Sequence, residues 1–132
     1  MTQPENVVTA RIGCKNYKTH ITTGPHTLLA DEPESLGGKD VGPDAGDFLR
    51  ISLATCTAIT LRMYANRKEY AIDEIHVHVS SEKVENTTIF NRTVEILGNI
   101  DESIRSRMLQ IANACPIHKT LTNPIEIKTE LK

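Results

Sequence analysis

The order of the periodic segments predicts an α+β fold with largely antiparallel sheets. Strands come first, one long helix follows, and then come two strands, a second helix and a last strand. Two further observations point the same way. Apolar residues switch between a period of two and a helical period along the chain, and Gly and Pro fall at the switches. With 132 residues, 39% of them hydrophobic and 24% charged, a single domain over residues 1–132 is expected.

In the N-terminal third, Val8, Ala10, Ile12 and Cys14 alternate with polar neighbours, which predicts a strand. A polar turn at Lys15-Asn16 leads into a second extended run over residues 17–23. Gly24-Pro25 then marks a turn, and residues 26–30 resume a strand. Residues 31–43 hold Pro33, Gly37, Gly38, Gly42 and Pro43, a loop long enough to suggest a function. Asp44 starts the strongest helix, over residues 44–68, uninterrupted by Gly or Pro after Gly46. Its middle is apolar or small on nearly every face and carries only Arg50 and Arg62 as charges. Such a helix is expected to be buried on most sides, which one short chain can hardly achieve without a second copy. The two arginines are expected to pair with acids or to reach out to solvent.

Beyond Glu69, Ile75, Val77 and Val79 alternate with His76, His78 and Ser80. Residues 88–97 form a second strand, with Phe90, Val94 and Ile96 on one face and Arg92 between them. Asp101 caps a helix whose stripe is Ile104, Met108, Ile111 and Cys115. Pro116 ends it or opens a short helix carrying His118. Ile125, Ile127, Thr129 and Leu131 predict a final strand after Pro124.

Composition narrows the function classes. Fifteen Lys+Arg against seventeen Asp+Glu leave no basic excess, so no nucleic-acid partner is expected. Residues 51–61 are the longest charge-free apolar-leaning stretch, too short to span a bilayer, so no membrane association is expected either. The polar N-terminus lacks a leader pattern, and a reducing cytoplasm is the expected location. Three cysteines, an odd number, argue against a disulfide framework. Taken as residues alone, Cys56 and Cys115 suit small core positions, and Cys14 suits packing in the first strand. No cofactor or metal is expected. His76 and His78 share one face of a strand, but without a third ligand a solvated polar face is the better account.

Two stretches alter the expectation for the thiols. Residues 37–43 (Gly-Gly-Lys-Asp-Val-Gly-Pro), Phe48-Leu49 and residues 53–65 around Cys56 resemble the OsmC/Ohr family. Residues 111–121, which contain Ala114-Cys115-Pro116-Ile117-His118, resemble its second signature. The resemblance implies an OsmC-like fold in an intertwined homodimer, with sheets wrapped around a long central helix. It also implies a thiol peroxidase that reduces organic hydroperoxides in oxidative stress defence. Cys56 would be the peroxidatic residue and Cys115 the resolving one. The implied partners are a small-molecule hydroperoxide and a dithiol or lipoyl-type reductant.

A thiolate, not a thiol, attacks the peroxide bond, so Cys56 needs a cation or hydrogen-bond donors to ionise near neutral pH. Family members carry an activating Arg in the first strand-turn region and a Glu ten positions before the peroxidatic Cys. Here that position is Gly46, the nearest acid is Asp47, and the turn holds Lys15 and Lys18 with Arg11 slightly earlier. The pair therefore does not carry over. Arg11, Lys18 and Arg92 are the candidate substitutes, and a weakly active dimeric redox-sensing or ligand-binding protein is the alternative function.

Overall fold

A computed structural model describes residues 7–132, and the chain forms two compact units that divide between Leu49 and Arg50. Residues 1–6, part of the polar N-terminus, lie outside the described residues. The elements confirm the α+β class with antiparallel sheets and a long helix. Among the described residues, no helix is long and apolar enough to cross a membrane.

The N-terminal unit is a three-stranded antiparallel meander of β1 (Val8–Arg11), β2 (Thr19–Thr23) and β3 (His26–Ala30). Thr23 pairs with His26 across the predicted Gly24-Pro25 turn, where Gly24 takes a φ of 56°. The first strand is shorter than its alternation suggests. It ends at Arg11, and Cys14 lies beyond it, exposed, so the expected packing role for Cys14 is not found. Val8, Ala10, Ile21 and Leu28 of this sheet, with Phe48, line an open apolar hollow of about 600 Å³.

The loop after β3 is organised around one carboxylate. Asp31, 4% exposed, accepts backbone N–H bonds from Tyr17 (3.3 Å), Glu32 (2.8 Å), Lys39 (3.1 Å) and Val41 (3.2 Å). Burial raises its pKa, but the four donors outweigh that and hold it below the usual carboxylate range. Gly38 is required here because a Cβ would strike the Glu32 carbonyl and the Asp31 carboxylate. A single 3-10 turn, Glu34–Leu36, sits within the loop.

The long helix α1 (Ala45–Lys68) opens on a reciprocal cap. Asp44 Oδ1 accepts from Asp47 N at 2.8 Å, and Asp47 Oδ2 accepts from Asp44 N at 3.1 Å. In the C-terminal unit α1 is followed by β4 (Ile72–Val84), β5 (Thr87–Gly98), α2 (Glu102–Ala112) and α3 (Pro116–Thr122). β4 and β5 form an antiparallel hairpin whose inner face carries Ile75, Val94 and Ile96. These pack on a core of Leu61, Tyr64 and Ala65 from α1, Ile72 from β4, and Met108 and Ala112 from α2. Asp101 caps α2 as predicted, accepting from Ile104 N at 2.9 Å.

Two expectations are corrected in this unit, while the burial of α1 is what one chain is expected to supply alone. Helix α1 is buried on one face only. Ile51 (44%), Ile59 (49%) and Met63 (67%) are exposed on the other, because a single chain supplies one layer of partners. Arg62, partly exposed, donates to the backbone carbonyls of Ile72 (3.0 Å) and Asp73 (3.3 Å) rather than to an acid; Arg50 donates to Ser81 Oγ at 2.8 Å. The predicted final strand is absent, for the residues after Pro124 form no ladder and Ile125, Ile127 and Leu131 are exposed. Alternation makes a strand only where an edge is there to pair with it.

Candidate active site

Cys56 and Cys115, placed 59 positions apart in the chain, come together in the C-terminal unit. Cys56 lies in α1 and is partly exposed. Cys115 is the N-cap residue of α3 and is wholly buried. Helix α2 ends at Ala112, Asn113 caps it, and Pro116 at the first position of α3 restarts the chain in a new direction. That turn brings Cys115 to α1. The two thiols share a hydrogen bond, and the Ile117 N–H reaches both sulfurs.

The surroundings treat the two sulfurs differently. Burial pushes the Cys56 thiol up and its hydrogen bond with Cys115 adds to this, while the Ile117 N–H and the Thr60 hydroxyl only partly oppose them. Burial pushes Cys115 up as well. There the Cys56 thiol, the His118 N–H, the Thr57 hydroxyl and the Ile117 N–H favour the anion and bring the thiol below its ordinary value. The two thiols thus titrate as a coupled pair, in which the surroundings favour the anion more at Cys115 than at Cys56.

Within the C-terminal unit a cation stands beside this pair. Arg92, on the inner face of β5, donates from Nη1 to Thr57 Oγ1 at 3.0 Å and from Nη2 to Asn113 Oδ1 at 3.0 Å. Its Nη2 also meets His118 Nδ1 at 3.1 Å. Because a guanidinium only donates, Nδ1 must be the accepting nitrogen of His118. Thr57, fully buried, donates to the Leu53 carbonyl at 2.7 Å while accepting from Arg92. Its single hydroxyl proton can turn from Leu53 to the sulfur of Cys115 when that sulfur is charged.

Of the three candidate cations, Arg92 lies in the C-terminal unit and is tied there to residues of the thiol surroundings. The signal for Arg92 was its place on the apolar face of β5, where a charge demands a partner. Thr57, Thr60, Asn113 and His118 were not singled out for their chemistry. The cue for them was proximity in the chain, since each lies within four positions of Cys56 or Cys115.

The fold has counterparts. The chain matches the OsmC-like protein family over residues 37–130. An OsmC-like protein from Mycoplasma pneumoniae shares 20% identity over 92% of this chain and 89% of that one, with a TM-score of 0.74. The organic hydroperoxide resistance protein OhrB of Bacillus subtilis shares 24% identity over 96% of each chain, with a TM-score of 0.62. An organic hydroperoxide resistance protein OsmC from Legionella pneumophila shares 18% identity over 92% of each, with a TM-score of 0.64. A search of curated protein sequences returns no match.

Proposed function

The chain belongs to the OsmC-like protein family, and from that premise we propose that it is a thiol peroxidase which reduces organic hydroperoxides in oxidative stress defence. The observation that carries the proposal is the shared hydrogen bond between Cys56 and Cys115, one thiol partly exposed and the other buried. Similarity to organic hydroperoxide resistance proteins supports the substrate class.

The division of burial supports the roles of Cys56 as peroxidatic and Cys115 as resolving residue. A peroxide can reach Cys56, while Cys115 has no exposed surface. Once the pair has lost one proton, Cys115, whose surroundings favour the anion, can act as the base for Cys56. The Cys56 proton passes across the shared hydrogen bond to Cys115, and the Cys56 sulfur attacks the terminal peroxide oxygen. An S–O bond forms, the O–O bond breaks, and the departing alkoxide takes the proton back from Cys115 to leave as the alcohol. Cys56 is now a sulfenic acid. The Cys115 thiolate attacks the Cys56 sulfur, an S–S bond forms, and hydroxide leaves and becomes water with a solvent proton. Overall two thiols and one hydroperoxide become a disulfide, an alcohol and water. A dithiol or lipoyl-type reductant resets the pair in a reducing cytoplasm. Arg92 keeps positive charge beside Thr57 through the cycle and favours each anionic stage.

The exposed apolar face of α1, with Ile51, Ile59 and Met63, supports action as a homodimer in which a second copy covers it. The test of function is consumption of cumene hydroperoxide in the presence of a dithiol, by the full protein and by Cys56→Ser. Loss of turnover to the uncatalysed rate is expected; equal rates in the two would remove the catalytic assignment.

The upward push on Cys56 favours a second reading, a dimeric redox-sensing or ligand-binding protein with little turnover. A pH series of Cys56 alkylation separates the two. A thiol that reacts only in the alkaline range, at the rate of a free cysteine, supports the second reading.

A further inference from the structure

The outer face of the β4–β5 hairpin carries a cluster that the thiol chemistry does not use. His76 and His78 project from that face of β4, and the register places Glu95 of β5 directly opposite His76. His78 Nε2 lies 2.6 Å from Glu95 Oε1, and the three candidate ligand atoms of His76, His78 and Glu95 all lie within 4.8 Å of one another. Glu74, two residues before His76 on the same face, places Oε2 3.7 Å from His76 Nε2. Two imidazoles at positions i and i+2 of one strand are an incomplete site by themselves. The third donor comes from the neighbouring strand, through a pairing that only the hairpin defines.

We propose that His76, His78 and Glu95 bind one divalent first-row transition ion, with Glu74 within reach as a further oxygen donor. Two neutral nitrogens and a carboxylate oxygen form a donor set of borderline softness. It suits Zn²⁺, Ni²⁺ or Cu²⁺ and does not suit Mg²⁺ or Ca²⁺, which take oxygen ligands. Ligand bonds of about 2.0–2.1 Å in a tetrahedral shell put the donor atoms about 3.3 Å apart. The His78–Glu95 hydrogen bond therefore has to open slightly and the wider gaps have to close, each by about an ångström. The side chains have room for this, since His76 and His78 are 44% and 62% exposed.

The backbone beneath them does not have to move. Pairs from Glu74↔Leu97 to Val84↔Thr87 form an unbroken ladder, which fixes the three Cβ positions. The exposed side leaves the remaining coordination positions to water or to an external ligand. The site lies on the face of β5 opposite Arg92, so it can fill without rearranging the thiol surroundings. A bound ion joins β4 to β5 and stabilises the folded chain by mass action.

The test is calorimetric titration of the full protein with Zn²⁺, run beside His78→Ala, Glu95→Gln and the control His26→Ala. One site that weakens at least about tenfold in His78→Ala and in Glu95→Gln, and is unchanged in His26→Ala, is expected. Thermal unfolding gives a second readout. Zn²⁺ should raise the midpoint of the parent and of His26→Ala but not of the two site variants, and Mg²⁺ should raise none of them. All three altered side chains are exposed, so the variants should fold. Zinc held by the thiols would not respond to His78→Ala. Equal affinity in parent and site variants, or no binding by the parent at millimolar Zn²⁺, overturns the proposal.

Discussion

Asp31 and Cys115 are both buried acids that the fold makes more acidic, and they are held by opposite kinds of donor. Asp31 is surrounded by four backbone N–H groups, contributed by Tyr17, Glu32, Lys39 and Val41. Cys115 meets the Cys56 thiol and the Thr57 hydroxyl, together with the N–H groups of Ile117 and His118. A backbone donor has no other proton state and cannot rotate away while the fold persists. A thiol can surrender its proton, and a hydroxyl can turn. The first arrangement locks a loop in place; the second is built to change during a reaction.

The widest way to break that contrast is to remove the movable partner of Cys56. Cys115→Ser should stop turnover with a dithiol that must act through the disulfide; Cys56 should form its sulfenic acid more slowly, having lost its base, and that sulfenic acid should then persist. Mass spectrometry after dimedone trapping would read this. Failure to trap any sulfenic acid, with turnover intact, would remove the resolving role.

A smaller and purely structural effect is expected at Asp31. Asp31→Asn replaces one oxygen by an amide NH₂ that faces backbone donors, so the thermal midpoint should fall by several degrees. The pH dependence has a definite sign. The carboxyl is more acidic in the folded than in the unfolded chain, so its stabilisation is fully present above the unfolded value of about 3.9 and is lost as the pH falls through the folded value. Acid unfolding of Asp31→Asn should lack that component, and an unchanged acid profile would contradict the clamp. Thiol reactivity should be unaltered.

The smallest effect sharpens the comparison from the other side. Thr57→Val removes one donor to the Cys115 sulfur and the Arg92 acceptor while conserving volume. A hydrogen bond of this kind contributes about 1 kcal/mol, so the first ionisation of the pair should move about 0.7 pH unit to the alkaline side. Alkylation rate against pH measures it. No movement would show that the hydroxyl serves Leu53 alone.

Much of the fold was legible because its signals are local. Asp44 and Asp101 stand where helix caps are required, Gly24-Pro25 marks a hairpin turn, and Pro116 starts α3. The thiols of the candidate site were legible through their two motifs, while its cation was recognised only as one of three choices. The errors arise where a local pattern needs a distant partner. Cys14 continues the alternation of β1 but lies past the last paired residue, and Ile125, Ile127 and Leu131 alternate with no ladder to join.

From its sequence alone the chain determines the order of its elements from β1 to α2, the inward faces of β4 and β5, and the two thiols worth examining. These follow from periodicity, capping and turn chemistry, which act over a few residues. Tertiary structure alone decided that Cys56 meets Cys115, that Arg92 is tied to that neighbourhood, and that Glu95 stands opposite His76. Each of these joins residues 17 or more positions apart, a separation that strand register and helix packing bridge and that no local pattern encodes.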